Sequence, residues 1–320
     1  MKKISVFIIV IIVTSLICSL ILKKYCSKPD SNEVIINGIK YIYEDKTRSY
    51  SVDSVVDENI TDIKISNIIN NYPVTKIHDS FLSLNRHVDD EEKKVDLNKT
   101  YNIYIPKNIE KIGNGCFVYA KMKIEFELNS KLKYIGKSSF KSCILDYVSL
   151  PEGLLYIDRY AFSYSSIDKI IIPNSIKEID LGFYELKTTF NELEGIRYLG
   201  NDENPYLLLH SVVDTEMINC NIKDGTKYIL FSAFQHCKKL EKLNIPSTVI
   251  IIPKHSFIYC SNLKEVKIHS NIKYIEYEAF SGSDGLTIIL EHNEIPKTFN
   301  KWWITGENYT IILNNGEVIV

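Results

Sequence analysis

The chain has 320 residues, a formal net charge of −2 and 45% hydrophobic residues, which is enough for a large folded body and too apolar for disorder. With 38 Lys and Arg against 40 Asp and Glu, it has no cationic excess to hold a phosphate backbone, so no nucleic-acid partner is expected. Thirteen Gly and nine Pro give no collagen-like or low-complexity composition.

The first 24 residues, "MKKISVFIIVIIVTSLICSLILKK", hold an uncharged apolar run of 19 residues from Ile4 to Leu22, between two lysine pairs. About 20 such residues span a hydrocarbon core of roughly 30 Å. A secretory signal has a shorter apolar core, about 7–15 residues, and a small-residue cleavage site. The reading is an N-terminal single-pass transmembrane helix through residues 4–22, with the rest of the chain extracytoplasmic. A cleaved signal, or lipidation at the "SLIC" ending in Cys18, is the alternative; it would leave the chain secreted or lipid-anchored. Lysines on both flanks (Lys2 and Lys3; Lys23, Lys24 and Lys28) leave the orientation open.

Residues 25–60 read as an N-terminal β-hairpin cap, because "EVIINGIKYIYEDKTRSYSVDSV" (33–55) alternates about an "EDKTR" turn. A repeat then occupies 61–184, with a charged loop over 86–99. Aromatic residues fall at Phe117, Phe140, Phe162 and Tyr184, at intervals of 23, 22 and 22. After an insertion over 185–222, the series resumes over 223–290 with Phe234, Phe257 and Phe280, 23 apart. Five residues before each aromatic stands an isoleucine: 112, 135, 157, 179, 229, 252 and 275. Upstream lie apolar-x-apolar-Pro strings, "IYIP", "VSLP", "IIIP" and "LNIP". The segment 291–320, with both tryptophans and an alternating pair about "NNG" or "GEN", reads as the closing cap.

A period of 22–23 with strand-like alternation predicts a β-rich repeat solenoid of parallel strands, of leucine-rich-repeat size. One turn cannot bury its own apolar face and must stack on its neighbours, about 4.8 Å apart. Stacking requires the same side-chain direction in every turn, so the apolar register is held while the positions between drift.

Seven cysteines with no C-x-x-C give no zinc or redox spacing. Cys143, Cys237 and Cys260 share a column with Ala120, Ser165 and Ser283, three residues after the register Phe, which reads as a small-side-chain packing position. Cys26, Cys116 and Cys220 fall outside that column.

The strings "LEKLNIPSTVIIIPKHSFIYCSNL" and "LLYIDRYAFSYSSIDKIIIPNSIKEI" resemble the BspA-like leucine-rich repeat family, over roughly residues 60–290. "NYPVTKIHDSF" is similar to that family's first repeat, and "YLGNDENPYLLLHSVVD" to a segment inserted between its repeat blocks. Departures are Tyr184 for Phe, Lys187 in the small column, and one residue too few between Ile77 and Phe81. The resemblance implies a right-handed leucine-rich-repeat coil and exposure at a bacterial-type cell surface, with adhesion for some members.

No catalytic or metal constellation emerges. The seven histidines are scattered, and no HExxH, GxSxG, GxGxxG or P-loop occurs. "DDEE" at 89–92 lacks the spaced oxygen ligands and glycine of a calcium loop. No cofactor is expected, and the chain is not read as an enzyme; His210, Asp202 and Glu203 in the insertion are the one group that could meet. What remains is surface. The outward residues of the strands, Tyr104, Glu127, Tyr147, Lys169, Ile171, Lys242, Asn244 and Lys267, are the candidate binding face, as one ladder of roughly 30–40 Å at about 4.8 Å per turn. The function read from this is a cell-surface, membrane-anchored module binding a protein or glycan ligand, as a monomer. The alternative is a structural spacer or self-assembly scaffold without an external ligand.

Overall fold

A computed structural model of the protein describes residues 28–29, 31–82, 99–181, 186–306 and 308–319. The apolar run 4–22, Cys18, Cys26, Tyr184, the "DDEE" motif and the charged loop up to residue 98 lie outside the described residues. Among those described, every regular element is a β-strand, and no helix is long and apolar enough to cross a membrane.

The turns stack as a parallel-strand β-solenoid. Its longer strands run into the apolar-x-apolar strings but begin before them, at Tyr101, Ile144, Ser166 and Lys242. Asp62–Lys64, Tyr101–Ile105, Lys121–Phe126, Ile144–Ser149 and Ser166–Ile171 form one parallel sheet. Asn219–Asn221, Lys242–Asn244, Glu265–Ile268, Thr287–Leu290 and Thr310–Ile312 form a second, with Val318–Ile319 antiparallel at its edge. Buried Pro106, Pro173 and Pro246 lie just past such strands, where a missing N–H helps end the ladder.

The register isoleucines sit on a second set of strands only two residues long. Lys111–Ile112, Tyr134–Ile135, Tyr156–Ile157 and Glu178–Ile179 follow one another in parallel from Tyr72–Ile77. Among the described residues that ladder ends at Ile179. In the second block, Tyr228–Ile229 pairs with Leu208–Val212, and Ile251–Ile252 with Tyr274–Ile275.

The phenylalanines form the third column. Phe117, Phe140 and Phe162 stack with ring centroids 5.1 and 4.9 Å apart, and Phe234, Phe257 and Phe280 repeat this at 4.9 and 5.1 Å. Both stacks end edge-on, against Phe81 at 6.1 Å and against Trp303 at 6.0 Å. All six stacked rings are fully buried, each worth roughly 1.5–3 kcal/mol of transfer free energy.

Two residues either side of each of these Phe, the backbone turns left-handed: Gly115 and Tyr119, Ser138 and Ser142, Tyr160 and Tyr164, Ser232 and His236, His255 and Tyr259, Glu278 and Gly282, with φ from 51 to 76°. Non-glycine residues there cost about 1–2 kcal/mol each. The stacked neighbour holds them, because backbone N–H groups of one corner donate to the carbonyls of the next, as Phe140 N does to Ala161 O at 2.8 Å and Phe257 N to Ala279 O at 2.8 Å.

The small-residue column has a second role that spacing does not reveal. Cys143 Sγ donates to Phe117 O (2.8 Å), Cys260 Sγ to Phe234 O (3.3 Å), and Ser165 Oγ to Phe140 O. Each satisfies a buried carbonyl of the preceding turn. Cys116 belongs to a different small column, immediately before the Phe, shared with Ser139, Ala161, Ala233, Ser256 and Ala279. Cys220 occupies a long-strand core position, opposite Leu243.

The ends depart from the repeat. The N-terminal region has three strands rather than one hairpin: Glu33–Ile36 and Ile39–Glu44 pair about Asn37–Gly38, and Ile39–Glu44 pairs with Ser49–Val55 about residues 45–48. Ser49–Val55 then runs parallel to Tyr72–Ile77, which docks the cap on the short-strand sheet. At the other end the final turn is built on Asn314–Gly316, and the "GEN" stretch precedes the Thr310–Ile312 rung. Within the insertion, Asn191–Leu193, Ile196–Leu199 and Leu208–Val212 form an antiparallel unit that hands the chain to the second block.

Candidate binding surfaces

The long-strand face carries the residues chosen from sequence, in two groups. Tyr104, Tyr147, Lys169 and Ile171 lie on the first sheet, and Lys242, Asn244 and Lys267 on the second. Lys187 bridges to Ser166, but no strand pairing among the described residues joins the two sheets, so the expected single ladder is interrupted. One residue sits out of its expected column. Tyr104 pairs with Glu125, and Glu127 lies beyond the end of that strand. The cause is an uneven repeat: Ile103 pairs with Ile124, 21 residues on, whereas Met122 pairs with Leu145, 23 residues on. The Glu127 carboxylate accepts from Lys107 N (2.9 Å), and that bond, with the Lys107 ammonium at 3.6 Å, lowers its pKa from the usual carboxylate value.

A groove of about 480 Å³ opens on this face between Tyr104 and Tyr147. Ile103 and Ile124 line it together with Asp62, Lys64, Asn102, Lys123, Glu125 and Asp146. Tyr147 is 52% exposed, a large ring left open to solvent. On the second sheet, Lys267 Nζ pairs with Glu291 (2.7 Å), and His269 Nδ1 lies 3.3 Å from the same carboxylate. The Lys267 hydrogen bond is the main reason the Glu291 carboxyl is held down at about 2.

A larger groove, of about 740 Å³, lies on the opposite set of strands. It runs over the short strands of both blocks, across the place where their ladder stops. The residue before six of the seven register isoleucines lines it, Lys111 being the exception: Tyr134, Tyr156 and Glu178 in the first block, Tyr228, Ile251 and Tyr274 in the second. Phe231 and Tyr277 add further rings. Sequence reasoning passed over this column, although "KYI" or "LYI" recurs at 133–135, 155–157, 227–229 and 273–275. The signal was one residue from the isoleucines that defined the repeat.

The insertion does not bring His210 together with Asp202 or Glu203. His210 is 6% exposed, packed at 4.8 Å on Phe190, with Nδ1 against Ser211 Oγ (3.0 Å). Burial pushes its imidazole down to about 4, with the Arg197 charge adding to the effect. Glu203 lies in a solvent-exposed turn and accepts from Asn174 Nδ2 (2.8 Å), and neither it nor Asp202 has a hydrogen bond or ion pair to His210. Among the described residues no group of three His, Cys, Asp or Glu side chains could hold a metal ion. Burial raises the thiols of Cys143 and Cys220 to about 12, so neither is a nucleophile at neutral pH.

The family model described as a BspA type leucine-rich repeat region matches residues 96–197 and 214–302, in six copies. None of the curated proteins compared matches the chain. Among solved structures, a leucine-rich cell surface protein from Faecalibacterium prausnitzii is similar at 18% identity and a TM-score of 0.33, covering 88% of this chain and 96% of that one. A leucine-rich repeat protein from Eubacterium ventriosum gives 17% identity and 0.41, covering 88% and 79%. The pneumococcal vaccine antigen PcpA gives 15% and 0.34, covering 90% and 88%. Matched over more than half its length, and folded as a solenoid whose turns keep the family's spacing, the chain belongs to the BspA-type leucine-rich repeat family.

Proposed function

We propose that this protein is a cell-surface binding module, tethered to the membrane through residues 4–22 and presenting its repeats on the extracytoplasmic side. It would hold a protein or glycan partner on the long-strand face by summed weak contacts. The observation that carries this reading is the groove between Tyr104 and Tyr147, where an exposed ring stands among charges of both signs. Tyrosine is enriched where interfaces concentrate their energy, and repeat proteins use such extended faces for binding. A role without catalysis accords with the dispersed histidines and the buried thiols. Against the reading as a self-assembling spacer stand the antiparallel strands Glu33–Ile36 and Val318–Ile319, which interrupt parallel stacking at both ends.

Protease treatment of intact cells tests the topology: residues 25–320 should be digested from outside, and full protection overturns the surface reading. Tyr147→Ala and Lys169→Ala should weaken retention of the cognate surface partner without altering the unfolding midpoint. Concentration-dependent filaments of the wild-type chain would favour the spacer instead.

A further inference from the structure

The tyrosines over the short strands form a surface independent of the long-strand face. Tyr134, Tyr156, Tyr228 and Tyr274 occupy one position of the repeat, and Tyr134 and Tyr156 are direct partners across adjacent rungs. Two of these rings are anchored by their hydroxyls: Tyr134 Oη donates to Asp158 Oδ2, and Tyr228 Oη to the Ile176 carbonyl. Tyr274 is 47% exposed. The groove around them, about 740 Å³, is of the size that encloses small ligands.

Its charges nearly cancel. Asp158, Glu178, Asp180 and Glu276 face Arg159, Lys177 and Lys254. A polyanion would meet the carboxylates and a polycation the ammonium and guanidinium groups, so neither gains a complementary field. A hydroxyl, which both donates and accepts, is satisfied by either kind of neighbour. Arg159, Lys177 and Glu178 have side chains with no hydrogen bond or ion pair among the described residues, so their bonding capacity is open to a ligand. The rungs advance by about 4.8 Å, close to the advance of one sugar in an extended β-linked pyranose chain. Tyr134 and Tyr156 on adjacent rungs, and Tyr228 and Tyr274 two rungs apart about Ile251, can therefore offer ring faces to the C–H faces of sugars at matching steps of the chain.

We infer that this groove is a second binding site and that its ligand is a neutral, β-linked oligosaccharide laid along the solenoid axis. The test uses the full chain with fluorescently labelled hexasaccharides of β-linked glucose, xylose and N-acetylglucosamine. At least one should bind, with an affinity that changes little with salt because no counterions are released. The double variant Tyr156→Ala, Tyr274→Ala should weaken it by at least about tenfold, whereas Tyr156→Phe, which keeps the ring, should not. Circular dichroism of the double variant establishes that the loss is not unfolding. The inference is overturned if none of the three hexasaccharides binds, or if binding survives in the double variant. It is equally overturned if only a polyanion binds in a salt-dependent way, or if an unfolded polypeptide alone binds through Tyr156 and Tyr274.

Discussion

The phenylalanine and tyrosine columns share one repeat, yet they obey different rules. Each stacked Phe is fully buried, and the middle rings Phe140 and Phe257 stack on a copy above and a copy below, so the column admits almost no change of direction or size. The tyrosine column lies at the surface and admits Lys111, Glu178 and Ile251 in the same position. The interior column is imposed by stacking, because a missing ring leaves a cavity in a close-packed interior. The surface column is free to vary; hydroxyl hydrogen bonds tie down Tyr134 and Tyr228, and Tyr156 and Tyr274 are left to call for an explanation outside folding stability.

The largest effect that separates them is Phe140→Ala, which removes the middle ring of the first stack. It should cost about 3–5 kcal/mol, read as a lowered denaturant midpoint. Tyr274→Ala should stay within about 0.5 kcal/mol of wild type in the same titration. Comparable losses for the two variants would erase the distinction.

Acid sensitivity sharpens it next, at a buried polar group between the two repeat blocks. His210 is held neutral, with a folded pKa of about 4 against an ordinary value near 6.5. Its contribution is therefore complete above pH 6.5 and is lost progressively as the pH falls towards 4. That amounts to about 3 kcal/mol at the lower limit. Urea unfolding at pH 7 and pH 4.5 should show the drop, and His210→Leu should remove most of it.

Gly282 tests the coupling between corner and surface. Its φ is +76°, and a Cβ there would lie 2.5 Å from Tyr259 Cδ1. Gly282→Ala should destabilise by about 1–2 kcal/mol. Adding Tyr259→Ala should recover the steric part but not the backbone part, as a double-mutant cycle of unfolding free energies would show.

The smallest effect concerns the thiol column. Cys143→Ser should be nearly neutral, as Ser165 fills the same role one turn on, whereas Cys143→Ala should lose about 1 kcal/mol with the bond to Phe117 O. The native thiol should resist a disulfide reagent until the chain unfolds.

Much of this was readable from the sequence, and the failures are as instructive. The Phe and Ile columns, the strands before proline and the two repeat blocks follow from spacing alone, because identical turns must align identical side chains. Cys143 was read as small, correctly, but its role as a donor needs the carbonyl of a residue 26 positions away. Glu127 was placed beside Tyr104 because an average period cannot show that one turn is short and the next long. The Asn37–Gly38 turn was a plain hairpin signal hidden inside a longer alternation.

Sequence by itself determined the repeat, its period and which side chains face inward, since those are local consequences of alternation repeated in phase. Only the tertiary structure decided which outward residues form a continuous surface. Among the described residues it parted the long-strand ladder into two sheets, and it brought Tyr156 and Tyr274, 118 residues apart, to the walls of one groove. Inward positions are fixed by neighbours one turn away, whereas a groove depends on how an insertion lets two separate stacks meet.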